Sequence, residues 1–249
     1  MNDITVVIPV GPNSVYLEWL PECIESILAQ THLPKEIIII DDGANLNDTL
    51  PDYFSYELFD DPWRGDIVTR LYRPDTDYDL PTVVYYKTVW NVGVADAFNF
   101  GVSLAKNDLV FMLGSDDRMY PTCLEECVTE YEKQDYATGW YNVTVEMSSG
   151  EVASWFNNTA AVTKSLWKHT GGFSPAAFAA PDALLLSCIL ATEPHKLYQV
   201  KEGTPLCWLR EHPDQDTKRY GAFYELSGVV RTIRNMETER YKSLWKNKI

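Results

Sequence analysis

Two adjacent aspartates, Asp116 and Asp117, follow the apolar run Leu109-Val110-Phe111-Met112-Leu113, with only Gly114 and Ser115 between. Such a run is the pattern of a strand buried on both faces of a parallel-type sheet. Ligands of open α/β sheets bind beyond the carboxyl ends of strands, so two carboxylates there are placed to hold a cation at the mouth of a crevice. A pair of acids at a strand end is also what a solvated turn contains, since turns favour Asp. Asp41-Asp42-Gly43 repeats the arrangement after Ile37 to Ile40, and a further acid, Asp182, directly follows Pro181. Proline is favoured in the first turn of a helix, here one running from Ala183 to Ala191. The positive end of that helix is expected to keep Asp182 ionised, as a weaker base than a desolvated acid.

The elements that must position these acids can be read in order. Ile4 to Val10 is a β-branched strand closed by Gly11-Pro12, and Leu17, Leu20, Ile24, Ile27 and Leu28 trace one face of a helix from Tyr16 to Gln30. Glu36 to Ile40 is a second strand, which completes a β-α-β unit. Residues 52–80 are rich in Asp, Pro and Tyr, and predict a long excursion with one helix near Tyr53. Val83 to Val89 reads as a strand leading into Asn91. Ala95, Phe98, Val102 and Ala105 recur at helical spacing, with Gly93 and Gly101 permitting close backbone approach. Leu206 to Arg210 reads as a late strand, and Tyr224 to Trp245 as a helical tail.

Bulk properties exclude several partners. The chain has 249 residues, 45% of them hydrophobic, and a formal charge of −15, which repels nucleic-acid backbones and anionic membrane surfaces. An anionic diphosphate ligand would therefore need a screening cation. No apolar run is long enough for a transmembrane segment, and Met1-Asn2-Asp3 leads straight into a strand, so a cytoplasmic protein is expected. The five cysteines, at positions 23, 123, 127, 188 and 207, match no zinc spacing and are expected to be reduced and buried.

With these segments in hand the chain resembles a family 2 glycosyltransferase of GT-A fold. The resemblance rests on Val6-Val7-Ile8-Pro9-Val10, Cys23 to Thr31, Ile40-Asp41-Asp42-Gly43, Asn91-x-Gly93, Asn99-x-Gly101, Phe111 to Asp117, Gly171-Gly172-Phe173 and Pro181-Asp182. It implies an α/β fold with a mainly parallel mixed sheet flanked by helices, in one catalytic domain. Residues 1–117 would form a Rossmann-like nucleotide-binding half, 118–220 an acceptor half and 221–249 a helical tail.

The resemblance further implies roles. Pro9, Val10 and Gly11 would receive the nucleotide base, with Asp41 or Asp42 accepting a uracil imide N–H. Asn91 and Gly93 would line the ribose and diphosphate. Asp116 and Asp117 would bind Mg²⁺ or Mn²⁺ together with the diphosphate, His212 would be an extra metal ligand, and Lys218 and Arg219 would reach the diphosphate. Asp182 would be the base of an inverting transfer from a nucleoside diphosphate sugar, UDP-linked, to a glycan, a lipid-linked glycan or a protein. Trp140, Tyr141, Trp155 and Phe156 lie where an acceptor would bind, and one or two of them are expected to touch it. Gly114 and Pro181 replace the family's usual acids. A non-catalytic nucleotide-sugar binding module and a nucleotidyltransferase are the alternatives, the latter lacking its basic N-terminal signature. A dinucleotide-dependent dehydrogenase would need a Gly-x-Gly-x-x-Gly turn that Pro9-Val10-Gly11-Pro12 is not.

Overall fold

The structure is a computed structural model that describes residues 3–46, 55–60, 68–73, 81–88, 90–154, 158–174, 181–215, 235–236 and 239–240. The chain runs β1 (Ile4–Val10), α1 (Val15–Leu28), β2 (Glu36–Asp41), β3 (Ser55–Asp60), β4 (Val68–Arg73), β5 (Thr82–Lys87), α2 (Val94–Leu104), β6 (Leu109–Met112) and β7 (Arg118–Met119). It continues through α3 (Cys123–Lys133), β8 (Trp140–Met147), β9 (Val152–Ala153), β10 (Ala160–Thr163), α4 (Lys164–Thr170), α5 (Pro181–Thr192) and β11 (Leu197–Leu209). One mixed sheet unites the strands in the order β3-β4-β5-β2-β1-β6-β10-β8-β11-β7, with β9 on β8.

Its centre, β5-β2-β1-β6, is parallel, because α1 and α2 are the crossover connections that parallel neighbours require. The flanks are mixed: β10 runs antiparallel to β6 and β8, β4 to β3 and β5, and β7 to β11, whereas β11 runs parallel to β8. The β3–β4 hairpin is structure that the Asp- and Pro-rich composition of residues 52–80 did not announce; the helix expected near Tyr53 falls outside the described residues. So do Val89 and most of the expected tail helix.

Alternation along the central strands sends side chains to two cores. Ile4, Val6, Ile8, Ile37 and Ile39 pack with Leu20, Ile24, Cys123 and Leu124 of α1 and α3. Val7, Ile38 and Ile40 face α2, α4 and α5 through Phe98, Val102, Leu166, Leu185 and Ile189. This two-sided cover explains why the strands read as continuous apolar runs. All five cysteines are free and buried within these layers, and burial raises the thiol pKa of Cys23, Cys123, Cys127 and Cys207. Among the described residues no helix is long and apolar enough to cross a membrane.

Gly101 fixes how closely α2 lies on the sheet. A Cβ there would sit 2.3 Å from Val7 Cγ1 and 3.4 Å from Ile40 Cγ1, and Val7 is a stiff, buried β-branched residue that cannot turn aside freely. Gly101→Ala would gain about 1 kcal/mol in helix propensity but overpack the interface at a cost of about 1–3 kcal/mol. Urea unfolding should therefore show a net loss of stability, whereas a stabilised variant would mean that α2 does not rest on β1 this tightly.

Candidate active site

β6 delivers Asp116 and Asp117 to the carboxyl edge of the parallel centre, as the apolar run before them implied. Gly114 is the space into which both acids fold: a Cβ on it would lie 2.8 Å from Asp116 Oδ1 and 2.7 Å from Asp117 Oδ2. An acid at this position would therefore displace the pair. Burial and the neighbouring charge of Asp116 push the Asp117 carboxyl well up, opposed by the backbone N–H and the charge of Arg210. That N–H donates to Asp117 Oδ1 at 2.9 Å, and Arg210 Nε donates to the Asp116 carbonyl at 3.1 Å.

Arg210 belongs to a lattice that the sequence reading missed. Glu22 on α1 accepts from Arg118 at 2.7 Å and from Arg210 at 2.5 Å. The Arg210 guanidinium stands 4.7 Å from the Trp19 ring and 4.9 Å from that of Trp208, and Arg118 stands 4.3 Å from Trp208. Guanidinium over an indole face is favourable, so the two cations are held beside the acid pair. The surplus of acids in the chain made two arginines near an acidic pair a signal worth weighing, but no spacing links them to Glu22.

His212 is buried, with Nε2 2.9 Å from Asp116 Oδ2 and its ring edge-on to Trp19 at 4.7 Å. Neighbouring ligands of one small cation at about 2.0–2.1 Å would lie roughly 3 Å apart, so this approach suits a shared ion as well as a hydrogen bond. Nδ1 of His212 is buried without a hydrogen-bond partner. The donor set is hard and oxygen-rich, fitting Mg²⁺ or Mn²⁺. Among the described residues no group of three acid, His or Cys side chains is assembled to hold an ion alone; the fit is that of a site completed by diphosphate and water.

The second acid pair is engaged with the chain itself. Asp41 accepts from Asn45 N at 3.0 Å, from Leu46 N at 2.9 Å and from the Tyr85 hydroxyl. Asp42 accepts from Thr88 Oγ1 at 3.0 Å, Val92 N at 2.7 Å, Asn91 Nδ2 at 2.9 Å and Gly93 N at 2.9 Å, two donors on each oxygen. Asn91 and Gly93 thus point polar groups inward at Asp42, which latches the loop between β5 and α2 onto the end of β2. Pro9 and Val10 lie inside the sheet, paired with Ile40 and Asp41, and Gly11 stands at the rim, where a Cβ would meet the Tyr16 ring at 3.6 Å.

Asp182 opens α5 directly after Pro181, which begins the helix. Its Oδ2 accepts from Asn158 N at 3.1 Å. Asn158 precedes Ala160, which pairs with Met112 of β6; because β10 runs antiparallel to β6, this brings Asp182 to the same end of the sheet as Asp116. Burial raises the Asp182 carboxyl above its ordinary range, against the lowering by the N–H groups of Ala183, Asn158 and Asp182 itself. Desolvation thus outweighs the helix end, correcting the expectation of a weakened base. The preceding Gly-Gly-Phe is a clamp: Asn99 donates to Phe173 O at 2.9 Å and accepts from Phe173 N at 2.8 Å, and a Cβ on Gly172 would lie 2.2 Å from Asn99 Oδ1.

Of the aromatics expected near an acceptor, Trp140 and Tyr141 are fully buried core residues, Tyr141 stacking on Tyr198 at 4.9 Å. Trp155, Phe156, Lys218 and Arg219 lie outside the described residues.

The profile of Glycosyl transferase family 2 matches residues 5–173. The chain belongs to that family. It is 30% identical over 123 residues to an uncharacterized glycosyltransferase of Nostoc sp., and 29% identical over 132 residues to the glycosyltransferase GlyG of Streptococcus pneumoniae. Those matches cover 49% and 53% of this chain but only 32% and 36% of the relatives, about a third of their length. Among solved structures, S. aureus TarS 1–349 in complex with UDP-GlcNAc superposes with a TM-score of 0.65 at 12% identity, over 94% of this chain and 66% of that one. The UDP complex of the same protein gives 0.60 at 12% identity, over 90% of this chain and 62% of that one. At that identity the likeness is one of fold.

The latch at Asp42 yields a direct expectation. Asn in its place offers one acceptor oxygen for four donors, leaving about two of them unmet at roughly 1–3 kcal/mol each. Asp42→Asn should lose about 2–6 kcal/mol in denaturant unfolding, and a loss under about 0.5 kcal/mol would show the loop to be held by other means.

Proposed function

We propose that the chain is an inverting glycosyltransferase that moves a sugar from a UDP-linked donor to an acceptor hydroxyl of a glycan, a lipid-linked glycan or a protein. The observation that carries this reading is the placement of Asp116-Asp117 and Asp182 at one end of a single sheet. One acid pair suits a metal-diphosphate, and the separate acid suits proton abstraction. Membership of the family supports the transfer chemistry, and the UDP and UDP-GlcNAc complexes of TarS support the donor class.

In this reading Asp116 and Asp117 would hold Mg²⁺ or Mn²⁺ with His212 beside them, and the ion would supply charge neutralisation for a diphosphate leaving group. Arg210 orients the Asp117 carboxylate and holds the Asp116 backbone carbonyl. Asp182 accepts the proton of the acceptor hydroxyl as the oxygen attacks the anomeric carbon opposite the leaving diphosphate. Its carboxyl, raised by desolvation, takes that proton more readily than a solvated Asp, at the expense of staying protonated to a higher pH than a solvated Asp would.

Two experiments test this. Calorimetric titration of UDP with Mn²⁺ and then with chelator should show binding that needs the ion and is lost in Asp116→Asn; equal affinity in both buffers would remove the metal from the reading. Asp182→Asn should cut turnover about 10²–10⁴-fold with donor affinity nearly unchanged. The acid limb of the wild-type kcat/KM profile should fall at a pH above the ordinary carboxylate range, because a raised pKa leaves the base protonated until higher pH. Robust transfer by the Asn variant would assign the base elsewhere, and UDP-sugar binding with neither transfer nor hydrolysis would favour a binding module.

A further inference from the structure

The end of the sheet opposite the acid pair carries a hollow that the transfer chemistry does not use. Asp3 leads into β1, Leu109 begins β6, and Ile4 pairs with Leu109. Beside these strand starts lies a cavity of about 390 Å³ whose lining includes Asp3, Lys106, Asn107, Asp108, Tyr131 and Tyr136. Its size suits one small ligand or one unit of a longer chain. β1 is 7 residues long, so at about 3.3 Å per residue the two ends of the sheet stand roughly 20 Å apart.

One wall of the hollow is held in a costly conformation. Tyr136 has φ +60° and Asp135 before it φ +53°, left-handed backbone that bulky side chains avoid. Both belong to the turn that ends α3, where Tyr136 N donates to Tyr131 O at 2.9 Å and Asp135 N to Glu132 O at 2.9 Å. Glycine is the residue such a helix end favours. Tyr136 is nonetheless 51% exposed, so burial of its ring offsets the strain only in part. Tyr131 supports the ring edge-on at 5.3 Å between centroids, and its own hydroxyl donates to Asp108 Oδ2 at 3.0 Å. Backbone strain of this kind clusters at ligand-binding sites.

The polar groups around the two rings both donate and accept. The Lys106 side chain is 74% exposed, with its ammonium 3.7 Å from Glu36 Oε1, and supplies donors. Asn107 Nδ2 donates to Thr5 Oγ1 at 3.0 Å, which leaves the amide oxygen as an acceptor. Asp108 takes the Tyr131 hydroxyl on one oxygen and Ser165 N at 3.3 Å on the other, two of the roughly four bonds a carboxylate can accept. Asp3 adds a second carboxylate. Two carboxylates against one ammonium disfavour a phosphate or other anion, and a rim this polar disfavours a purely apolar guest. A sugar ring offers neighbouring hydroxyls that donate and accept, together with an apolar C–H face, and so matches both the rim and the phenol.

We propose that this hollow is a carbohydrate-binding subsite, with Tyr136 as the platform for a sugar ring and Lys106, Asn107 and Asp108 as partners of its hydroxyls. Binding there is independent of the donor. Its use, to grip a glycan acceptor at a second point remote from the acids, rests on the transfer reading above.

The test is calorimetric titration of cellopentaose and chitopentaose, a neutral glucan and an N-acetylhexosamine oligomer, into the wild type, Tyr136→Gly, Tyr136→Phe and Asn107→Ala. The wild type should bind at least one of them without UDP or Mn²⁺. Tyr136→Gly should weaken that binding by roughly 5-fold or more, the equivalent of about 1 kcal/mol. Its Tm should equal or exceed that of wild type, because glycine relieves the left-handed backbone, and its affinity for UDP with Mn²⁺ should be unchanged. Tyr136→Phe should retain the oligosaccharide and Asn107→Ala should weaken it. Failure of both oligosaccharides to bind the wild type, or unchanged affinity in Tyr136→Gly or Asn107→Ala, would overturn the assignment. So would a Tm lowered by more than about 4 °C in Tyr136→Gly, which would mark Tyr136 as a packing residue. UDP binding is read separately: its absence from the wild type would remove the donor reading and the acceptor use of the subsite, while oligosaccharide binding would still stand.

Discussion

Like charges on consecutive residues repel, and holding Asp116 beside Asp117 at the end of a buried strand is the constraint from which the rest of the site follows. Burial strips water from the Asp117 carboxylate and leaves the repulsion by Asp116 less screened, and the two together push that carboxyl up. The chain answers in three ways. Gly114 gives the carboxylates room, Arg210 donates to a carboxylate of one residue and a carbonyl of the other, and Glu22 holds that arginine between two indoles. Glu22 adds a negative charge, yet the arrangement is consistent, because it serves to orient two cations. The acid surplus that remains at the sheet edge is what makes a cationic partner chemically appropriate there.

The other acid pair shows the same residue type used for the opposite purpose. Asp41 and Asp42 meet hydrogen-bond donors on all their oxygens, five of them backbone N–H groups or the Asn91 amide, so their charge is spent on shaping loops. Identical dipeptides beyond two parallel strands that flank β1 thus divide into one held open at the sheet edge and one that shapes the loops beside it. The difference lies in what the following residues do: Gly43 at φ +90° turns the chain back past Asn91, whereas Ser115 and Asp116 lead on into β7.

The parallel centre was legible because buried strands have no polar face to hide: Ile4 to Val10, Glu36 to Asp41 and Leu109 to Met112 come close to their sequence bounds. Helices α1, α2 and α5 were legible from spacing and from Pro181. The β3–β4 hairpin was not, since its strands lie in a stretch dominated by Asp, Pro and Tyr with no sustained alternation. Trp140 and Tyr141 look from sequence like acceptor platforms, but β8 lies between β10 and β11 and is covered on both faces, so its aromatics are core. The direction of the Asp182 shift was misjudged for a related reason: the helix start was visible in Pro181-Asp182, whereas the burial that outweighs it is a tertiary feature, with Asn158 from the segment before β10 brought onto the carboxylate. The Glu22 lattice was illegible because it joins residues 96 and 188 positions apart.

That last separation bears on how the protein comes into being. Synthesis proceeds from the N-terminus, and β1, α1, β2 and β6 can pair while the ribosome is still making β8. β11 is the last described strand; it lies between β8 and β7 and carries Arg210 at its end, so the acid pair exists as an unneutralised surface until this strand docks. Closing a loop of that length is slow relative to local pairing. The edge that carries the acid pair accordingly gains its arginine late, and a nascent or clipped chain ending before residue 197 would have a parallel centre whose acids lack Arg210. Docking of β11 and arrival of Arg210 beside the acids are thus one event.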